Sequence, residues 1–445
     1  MEQLTNFLNR VRASLWLLPA AMSAMAVILA WFLLFSDLEL TDFNEAERWW
    51  LFSGDAITAR NLLSSLLSGM ITMTSLVVSI TMVVLSLAAG QLGPRLIGNF
   101  MRDWQIQAVF GLFMATIVYT LFVLRSVNDQ LGADYVPHIA VSVASALAML
   151  CLFALLFFVH KLARSIIADT VVKEVAGELE SAIAGSSNDA GQDGQEHPAV
   201  IRYSHRTWVS LGASGYVQVI DYQRLVTLAA QEDMLIGCDV RAGQFLLRGG
   251  NHVELFSHEP PSDGRATEIR RAFVIGLDRT PTQDIEFSIR QLVEIAVRAM
   301  STGVNDPFTA VAVVNRLGSA LESASRRPPQ PACYRDAEGS IRVVANNHDF
   351  GGLVDASFNQ IRQAAAGDPA VLIQMSRIIG QLALVVDGAA RREALLAHLD
   401  KLERTARGNF GDPADVEDFA TVAEVARKRL ASSDPTETLN REAGG

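Results

Sequence analysis

Four polar residues in the second half of the chain have types and spacing that suit cation binding: Arg279, Asp284, Asn305 and Asp306. Two carboxylates and an amide supply the oxygen ligands that Mg²⁺ and Ca²⁺ prefer, and Arg279 can pair with one carboxylate. Helix capping explains the same residues. Asp284 and Asp306 each stand where a helical pattern starts, and a carboxylate there accepts backbone N–H bonds and interacts with the positive end of the helix.

The stretch STGVNDPFTA, residues 301–310, joins two of these helical patterns. Gly303 is predicted to supply the left-handed residue that ends the first helix, and Asp306 with Pro307 to open the second. Neither cap requires Asn305, which either meets Arg279 and Asp284 or faces solvent. Two carboxylates and an amide are too few for a cation site, so we favour capping and predict no bound metal and no cofactor.

The rest of the sequence offers no catalytic arrangement. It has no Ser-His-Asp signature, no glycine-rich phosphate loop and no zinc-binding pattern. The cysteines, Cys151, Cys238 and Cys333, are far apart and form no CxxC pair, so they are predicted to be buried, reduced thiols. We therefore predict that the protein is not an enzyme.

A second set of polar residues lies inside a long apolar run, residues 61–94. At about 100° per residue, its hydroxyl side chains fall within a sector of about 80°. They are Ser64, Ser68, Thr72, Ser75, Ser79 and Ser86. Hydroxyls contributed by several copies could line a pore and replace part of an ion's hydration shell. Small residues at four-residue spacing also let helices pack closely, so for this helix taken alone we favour packing, and the length of the row keeps the pore interpretation open.

Gly93 and Pro94 end this apolar run, and Arg95 follows them. A ring of Arg95 side chains at the mouth of a pore would favour anions. The alternative is the ordinary excess of positive charge on cytoplasmic loops, which needs no further purpose.

Half of the 445 residues are hydrophobic and the mean hydropathy is positive, at +0.24, a combination too apolar for a soluble protein of this size, so part of the chain is predicted to lie in lipid. Four stretches without Asp, Glu, Lys or Arg are long enough to cross a hydrocarbon core. They are Ala13–Ser36, Asn61–Pro94, Gln105–Leu124 and Tyr135–His160. A net charge of −11 with no basic cluster argues against a nucleic-acid partner.

Positive charges set the predicted orientation, because Lys and Arg concentrate in cytoplasmic loops. They occur before the first stretch, between the second and third, and after the fourth: Arg10, Arg12, Arg95, Arg102, Lys161 and Arg164. The first connection is rich in Asp and Glu, and the third carries Asp129 and Asp134. We predict four crossings with both termini in the cytoplasm.

Beyond a membrane domain at residues 1–164, the hydropathy pattern changes. Residues 165–198 are predicted to form an amphipathic helix and a polar linker. The short runs YVQVI, MLIGCDV, QFLLRGG and HVELF indicate a small β-barrel or β-sandwich module at residues 199–276. Helical periodicity returns over residues 277–430, interrupted by the hairpin-like RDAEGSIRVV, and residues 431–445 are a polar tail predicted to be disordered.

The predicted fold class is therefore an α-helical multi-pass membrane protein with a cytoplasmic α+β region. Pieces of the β-module, such as GYV at 215–217 and RAGQF at 241–245, resemble the small β-sandwich of biotinyl and lipoyl carrier domains. A carrier domain attaches its cofactor to a lysine, and the chain has no lysine between Lys173 and Lys401. We interpret the module as structural or as a docking module.

Five segments together resemble one family. They are RVRASLWLLPA, GMITMTSLVVSITMVVLSLAAGQLGPRLIGNFMRD, HKLARSI, SGYVQVID and RTPTQDIEFSIRQLVEIAVRAMSTGVNDPFTA. They are similar to the bacterial predicted membrane proteins called domain of unknown function 2254, and the resemblance extends from about Arg10 to about Arg407. It implies a multi-pass protein of the bacterial inner membrane and implies no particular mechanism.

Two functions fit these features. The first is a homo-oligomeric channel or transport protein for ions or small solutes, lined by the second stretch through Ser68, Thr72, Ser75, Ser79, Ser86 and Arg95. The second is a non-transporting membrane scaffold or sensor whose cytoplasmic domain binds a partner or a small ligand. We predict the first, because the hydroxyl row is long and no catalytic arrangement accompanies it.

Overall fold

The computed structural model describes residues 17–39, 52–92, 103–127, 136–165, 168–185, 203–259, 263–327, 332–347 and 349–432. The chain divides into two compact units, Met1–Thr170 and Val171–Gly445, which are taken in turn below. Arg95, the predicted linker at 186–198 and the predicted tail from residue 433 onward lie outside the described residues.

Four long apolar helices make up the described part of the first unit. They are α1 (Leu17–Glu39), α2 (Ala56–Leu92), α3 (Trp104–Ser126) and α4 (His138–Ser165). Each contains a window that is long and apolar enough to cross a membrane. The four stretches predicted from the sequence are confirmed as candidate spans, and α2 is the longest of them.

One side of α2 packs into the bundle. Its large buried side chains recur every seven residues, at Leu63, Met70, Val77 and Val84. Leu63 belongs to the same buried cluster as Tyr119 of α3, and the other three cluster with Phe113 of the same helix. Tyr119 is buried, and its hydroxyl donates to the backbone carbonyl of Ala140 in α4 at 3.0 Å. This seam joins α2, α3 and α4 into one core.

Polar contacts join the helices at both ends of the bundle. Lys161, near the end of α4, forms an ion pair with Asp103, whose side chain caps the start of α3. At the other end of α4, the Nδ1 atom of His138 lies 2.6 Å from the carbonyl oxygen of Phe52, just before α2. Thus α3 starts where α4 ends, and α2 starts where α4 starts, as in an up-and-down bundle.

A further helix, α5 (Ala168–Gly185), follows the apolar region. Its buried side chains form a single stripe of Val172, Val175, Ala176, Leu179 and Ile183. Arg327 donates to the backbone carbonyl of Ile183 at 2.9 Å, a contact within the second unit that holds the end of α5.

The described residues of the second unit contain eight strands in two sheets. They are β1 (His205–Val209), β2 (Gly215–Ile220), β3 (Leu235–Cys238), β4 (Phe245–Leu246), β5 (Val253–Ser257), β6 (Phe273–Gly276), β7 (Cys333–Arg335) and β8 (Ile341–Val344). An antiparallel sheet has the order β4-β2-β6, and a five-stranded sheet has the order β1-β5-β3-β8-β7. In the larger sheet β3 and β8 run parallel, while its other pairs are antiparallel.

The sheets differ from the closed barrel or sandwich expected within residues 199–276. The strands β7 and β8 come from beyond residue 276, and β8 pairs with β3. Helix α6 (Tyr222–Gln231) packs on β3 and β8, and a further helix, α7 (Asp263–Arg270), precedes β6. The sequence marks short apolar runs but not their partners, because strand pairing is decided by tertiary contacts.

Six more helices complete the described part of the second unit. They are α8 (Ile285–Ala299), α9 (Pro307–Ser325), α10 (Phe350–Ala364), α11 (Pro369–Leu382), α12 (Ala389–Asn409) and α13 (Pro413–Ala431). Aspartate side chains cap five of them by accepting a first-turn backbone N–H: Asp284, Asp306, Asp349, Asp368 and Asp412. In α9, α11 and α13 a proline follows the cap, where its fixed φ suits the helix and its missing N–H costs nothing.

Replacing Leu317 of α9 by alanine tests this packing. Leu317 is fully buried, so Leu317→Ala should lower the free energy of unfolding by about 2–5 kcal/mol through lost burial and the cavity left behind. The urea unfolding transition of the full-length protein in detergent measures the change. The control, Leu277→Ala, alters a leucine that is 88% exposed and should stay within about 0.5 kcal/mol of wild type. Equal effects of the two substitutions would contradict the fold.

Candidate functional site

The hydroxyl row predicted on the second apolar stretch lies on the outer side of α2. All six of its side chains are exposed: Ser64, Ser68, Thr72, Ser75, Ser79 and Ser86. At about 100° per residue, the centre of this row is about 170° from the buried stripe of Leu63, Met70, Val77 and Val84. The row is therefore not a packing surface within the described bundle. We call these six residues the hydroxyl face.

Two hydroxyls of this face are bonded to their own helix. Thr72 donates to the carbonyl oxygen of Ser68, and Ser86 donates to that of Met82, each at 2.9 Å. Such a bond satisfies the hydroxyl hydrogen and leaves oxygen lone pairs directed away from the helix. The hydroxyl face can therefore accept hydrogen bonds or coordinate a cation without breaking the helix. The structure does not describe Arg95, the remaining predicted pore residue.

In the second unit, Arg279 and Asp284 form a two-bond ion pair. Arg279 Nε lies 2.7 Å from Asp284 Oδ2, and Arg279 Nη2 lies 2.9 Å from Asp284 Oδ1. The side chain of Asp284 is 1% exposed and also accepts the backbone N–H of Phe287, which caps α8. Burial alone would lower the pKa of Arg279, but the hydrogen bonds and charge of Asp284 reverse this, and the net shift is upward.

Gly243 covers this ion pair. Its φ of +83° lies in the left-handed region, and a Cβ atom built on it would stand 2.1 Å from Asp284 Oδ2 and 2.7 Å from Arg279 Nη2. Only glycine fits, since any side chain would collide with both charged groups. The backbone N–H of Gly243 donates to the carbonyl of Val217 in β2 at 2.8 Å. The ion pair thus connects α8 to the loop after β3 and to the smaller sheet.

Asn305 and Asp306 lie at the other end of α8. They follow its C-terminus, whereas Asp284 precedes its N-terminus, and a 15-residue helix is about 22 Å long. Asp306 caps α9, its Oδ1 accepting the backbone N–H of Thr309 at 3.1 Å and its Oδ2 the hydroxyl of the same residue at 2.5 Å. Asn305 is exposed. The four predicted residues therefore do not converge on one oxygen-ligand site, and Asn305 faces solvent.

The joint between α8 and α9 forms as predicted, except for the residue that closes α8. Asn305 has the positive φ, +49°, whereas Gly303 does not. The N–H of Asn305 donates to the carbonyl of Ser301, and the N–H of Asp306 donates to that of Ala299. The assignment of Gly303 as the left-handed residue was wrong because asparagine also tolerates that conformation.

Glu286 is a buried acid that the sequence interpretation missed. Arginines approach it from three directions: Arg290 Nε donates to its Oε1 at 2.6 Å, Arg241 Nη2 lies 3.8 Å from its Oε2, and Arg279 Nη2 lies 3.9 Å from the same atom. Its position two residues after Asp284 did not mark it as a buried acid, because glutamate is common in the first turn of any helix.

A polar cavity of about 330 Å³ lies beside Glu286. Its lining comes from the loop after β3, from α8 and from the start of α10, and includes Arg241, Glu286, Arg290, Asn347, Asp349 and Asp355. The strands β3 and β8 are parallel neighbours, so their carboxyl ends lie at the same edge of the sheet. Crevices of this kind are common ligand sites in α/β proteins.

A buried histidine lies behind the cavity. His398 of α12 is 2% exposed, and its Nε2 lies 3.5 Å from Asp355 Oδ1. Burial, followed by the positive charge of Lys401, lowers the pKa of His398 to about 4, so the ring is neutral near pH 7. Burial alone would raise the pKa of Asp355, but its hydrogen bond with Lys401 and the charge of that residue produce a net decrease.

The family of the chain follows from comparison with known proteins. The family model described as "Predicted membrane protein (DUF2254)" matches residues 12–381. The chain belongs to the DUF2254 family. Uncharacterised proteins of Mycobacterium bovis (strain ATCC BAA-935 / AF2122/97) and Mycobacterium tuberculosis (strain ATCC 25618 / H37Rv) are each 31% identical to it over 378 residues, covering 82% of this chain and 71% of theirs. No solved structure matches.

Membership of the DUF2254 family confirms the resemblance drawn from the sequence. The matched residues include all of the described hydroxyl face, the Arg279–Asp284 pair and the cavity lining up to Asp355. The family description says that these are membrane proteins, and the names of the relatives assign no activity. What the sites do must therefore be argued from their geometry.

Asparagine substitutions at Asp284 and Asp306 distinguish an aspartate that caps a helix and forms an ion pair from one that only caps a helix. Asparagine still caps a helix, so Asp284→Asn removes the ion pair but keeps the cap, and it leaves Arg279 half-buried without its main partner. We expect a loss of about 3–5 kcal/mol in the free energy of unfolding. Asp306→Asn is the matched control and should change it by less than about 0.5 kcal/mol. Urea unfolding measures both, and a silent Asp284→Asn would contradict the assigned pair.

The low pKa of buried His398 predicts that the folded protein loses stability in acid. In the unfolded chain, this histidine binds a proton below about pH 6.5. In the folded DUF2254 protein, it binds a proton only near pH 4. Stability at this site therefore falls as the pH decreases from about 6.5 to about 4, by about 3 kcal/mol in full. Unfolding of His398→Leu should depend less on pH than that of wild type. Equal pH dependence of the variant and the wild type would contradict this account of His398.

Proposed function

We propose that this DUF2254 protein is a homo-oligomeric channel or transport protein for ions or small solutes, with α2 lining the pathway. The observation that carries the proposal is the outward position of the hydroxyl face. A hydroxyl row buried in the bundle would have been explained by packing within it, whereas this exposed row is available to line a polar pathway.

The contrast with the other helices supports the proposal. The outer surfaces of α1 and α4 are apolar and suit lipid: Met25, Ile28, Trp31, Phe32, Phe35, Met149, Leu150, Phe153 and Leu156. Among the described helices, the outer surface of α2 carries the hydroxyl row, which the exposed side chain of Met82 interrupts between Ser79 and Ser86. Hydrocarbon offers hydroxyl oxygens no partner, so contact with lipid leaves the row without the hydrogen bonds that water would give.

The flanks of the hydroxyl face fit a pore-lining helix. Exposed apolar side chains border the face on both sides, with Ile71 and Val78 on one side and Leu76, Val83 and Leu87 on the other. In a ring of copies, each hydroxyl face would point to the axis while these flanks contact neighbouring copies or lipid. An assembly of this kind would give every surface of α2 a suitable partner.

The proposal includes an orientation. It places the protein in the bacterial inner membrane with both termini in the cytoplasm, supported by the Lys and Arg positions in the sequence. The unit from Val171 onward is then cytoplasmic, and no catalytic step is assigned to it. If the hydroxyl face instead packs against another copy without enclosing water, the protein is a membrane scaffold or sensor, which is the alternative.

Two threonines of α2 provide a matched test. Thr72 lies on the hydroxyl face, whereas Thr74 is half-buried on the bundle side, and each donates its hydroxyl to the carbonyl four residues earlier. Valine has nearly the same shape. We therefore expect Thr72→Val to change the rate or selectivity of ion flux through proteoliposomes, while Thr74→Val leaves both at the wild-type level.

A stronger perturbation completes the experiment. Leucine at Ser75 and Ser79 places bulk and apolar surface on the proposed pathway, so the double variant should reduce flux at least tenfold. K⁺, Na⁺ and Cl⁻ gradients are tested in turn, since the permeant species is unknown. Wild-type liposomes that pass none of the three ions would contradict ion conduction, and equal effects of the variants at Thr72 and Thr74 would contradict a pathway along the hydroxyl face.

A further inference from the structure

The cavity of the second unit has two walls of opposite charge. On the α8 side, two arginines, Arg241 and Arg290, face one acid, Glu286, while Arg279 is matched by Asp284. On the α10 side, Asp349 and Asp355 face a single lysine, Lys401, and His398 is neutral near pH 7. Each wall thus keeps one net charge, positive at α8 and negative at α10.

The positive wall has unused donors. Arg241 approaches Glu286 only to 3.8 Å, which is longer than a hydrogen bond, and its side chain is 38% exposed. Arg290 uses part of its guanidinium on Glu286 and is 46% exposed. A guanidinium has five N–H donors in a planar fork that matches a carboxylate. These arginines can therefore bind a ligand carboxylate without breaking their contacts to Glu286.

The negative wall has unused acceptors. Asp349 accepts the backbone N–H of Gly352 at 2.8 Å through Oδ1, and Asp355 accepts Lys401 at 2.8 Å, also through Oδ1. Each carboxylate has a second oxygen, and an ionised carboxylate accepts about four hydrogen bonds. The amide groups of Asn347 and Asn359 line the cavity beside them. An ammonium group with three donors suits this wall.

Size and lining narrow the class of ligand. About 330 Å³ is at the small end of the range for ligand pockets. No aromatic side chain lines this cavity within the described residues, so a nucleobase would find no stacking surface. Within the same residues, no group of His, Cys, Asp and Glu is arranged to hold a metal ion. A small, charged organic molecule is the class that fits.

We infer that this cavity binds a small zwitterion, with its carboxylate at Arg241 and Arg290 and its ammonium group at Asp349 and Asp355. Arg241 follows β3 and Asn347 follows β8, so the ends of two neighbouring parallel strands contribute to the cavity lining. The inference does not depend on ion conduction. It also names a class of ligand for the alternative function, a membrane scaffold or sensor that binds a small ligand.

Four related molecules of four carbons test the charge requirement. The zwitterions L-2-aminobutyrate and 4-aminobutyrate carry their charges close together and far apart, while butyrate and butylamine carry only one charge each. Isothermal titration calorimetry on the full-length protein in detergent measures each dissociation constant. We expect at least one zwitterion to bind at least ten times more tightly than both single-charge molecules.

Matched variants test the location. Arg241→Gln removes a charge from the positive wall, and its control, Arg224→Gln, removes an exposed arginine that pairs with Glu268 outside the cavity. Asp349→Asn removes a charge from the negative wall and keeps the cap of α10. Its control, Asp368→Asn, makes the same change at the cap of α11. Each cavity variant should weaken the zwitterion at least tenfold, and each control should leave its affinity unchanged.

Three results would overturn the inference. They are a failure of both zwitterions to bind, equal affinity for butyrate or butylamine, and cavity variants that bind like wild type. Thermal unfolding of the cavity variants close to the wild-type temperature shows that a lost affinity is not a loss of folding. Because calorimetry reports binding and liposomes report flux, failure here leaves the channel proposal standing, and failure of conduction leaves this site standing.

Discussion

Hydrocarbon satisfies no polar group, and this constraint accounts for the arrangement of the first unit. The helices α1, α3 and α4 meet it by turning apolar side chains outward, with buried polar groups bonded inside, as in the contact of Tyr119 with the carbonyl of Ala140. The helix α2 satisfies this constraint only on its inner side. Its heptad of large apolar residues enters the core, and its hydroxyl face lies outside the described bundle.

The second unit depends on a different interaction, the buried ion pair of Arg279 and Asp284. Breaking such a pair leaves a poorly hydrated charge, so both partners and the glycine that covers them are fixed together. The pair positions the start of α8 against the loop after β3. That start carries Glu286 and Arg290, and the loop carries Arg241, so one structural contact sets the positive wall of the cavity.

Local features were predictable from the sequence, and features that need two distant segments were not. Uncharged length predicted the four apolar helices, and Asp-Pro at residues 306–307 predicted the start of α9. The pairing of β3 with β8 joins residues more than one hundred positions apart, and no sequence pattern in either strand predicts it. For the same reason the cavity was missed, since Arg241, Glu286 and Asp355 meet only after the sheet has formed.

The hydroxyl row shows what the sequence can predict and what it cannot. Its spacing established the face, but only the packed bundle shows that this face lies opposite the core. The central claim is that further copies complete α2 around a polar pathway, and an electron cryo-microscopy structure of the protein in lipid nanodiscs tests it most directly. The account predicts a closed ring with Ser68, Thr72, Ser75 and Ser79 facing an axial, water-accessible space. A monomer, or a ring in which this face packs away from any cavity, would contradict it.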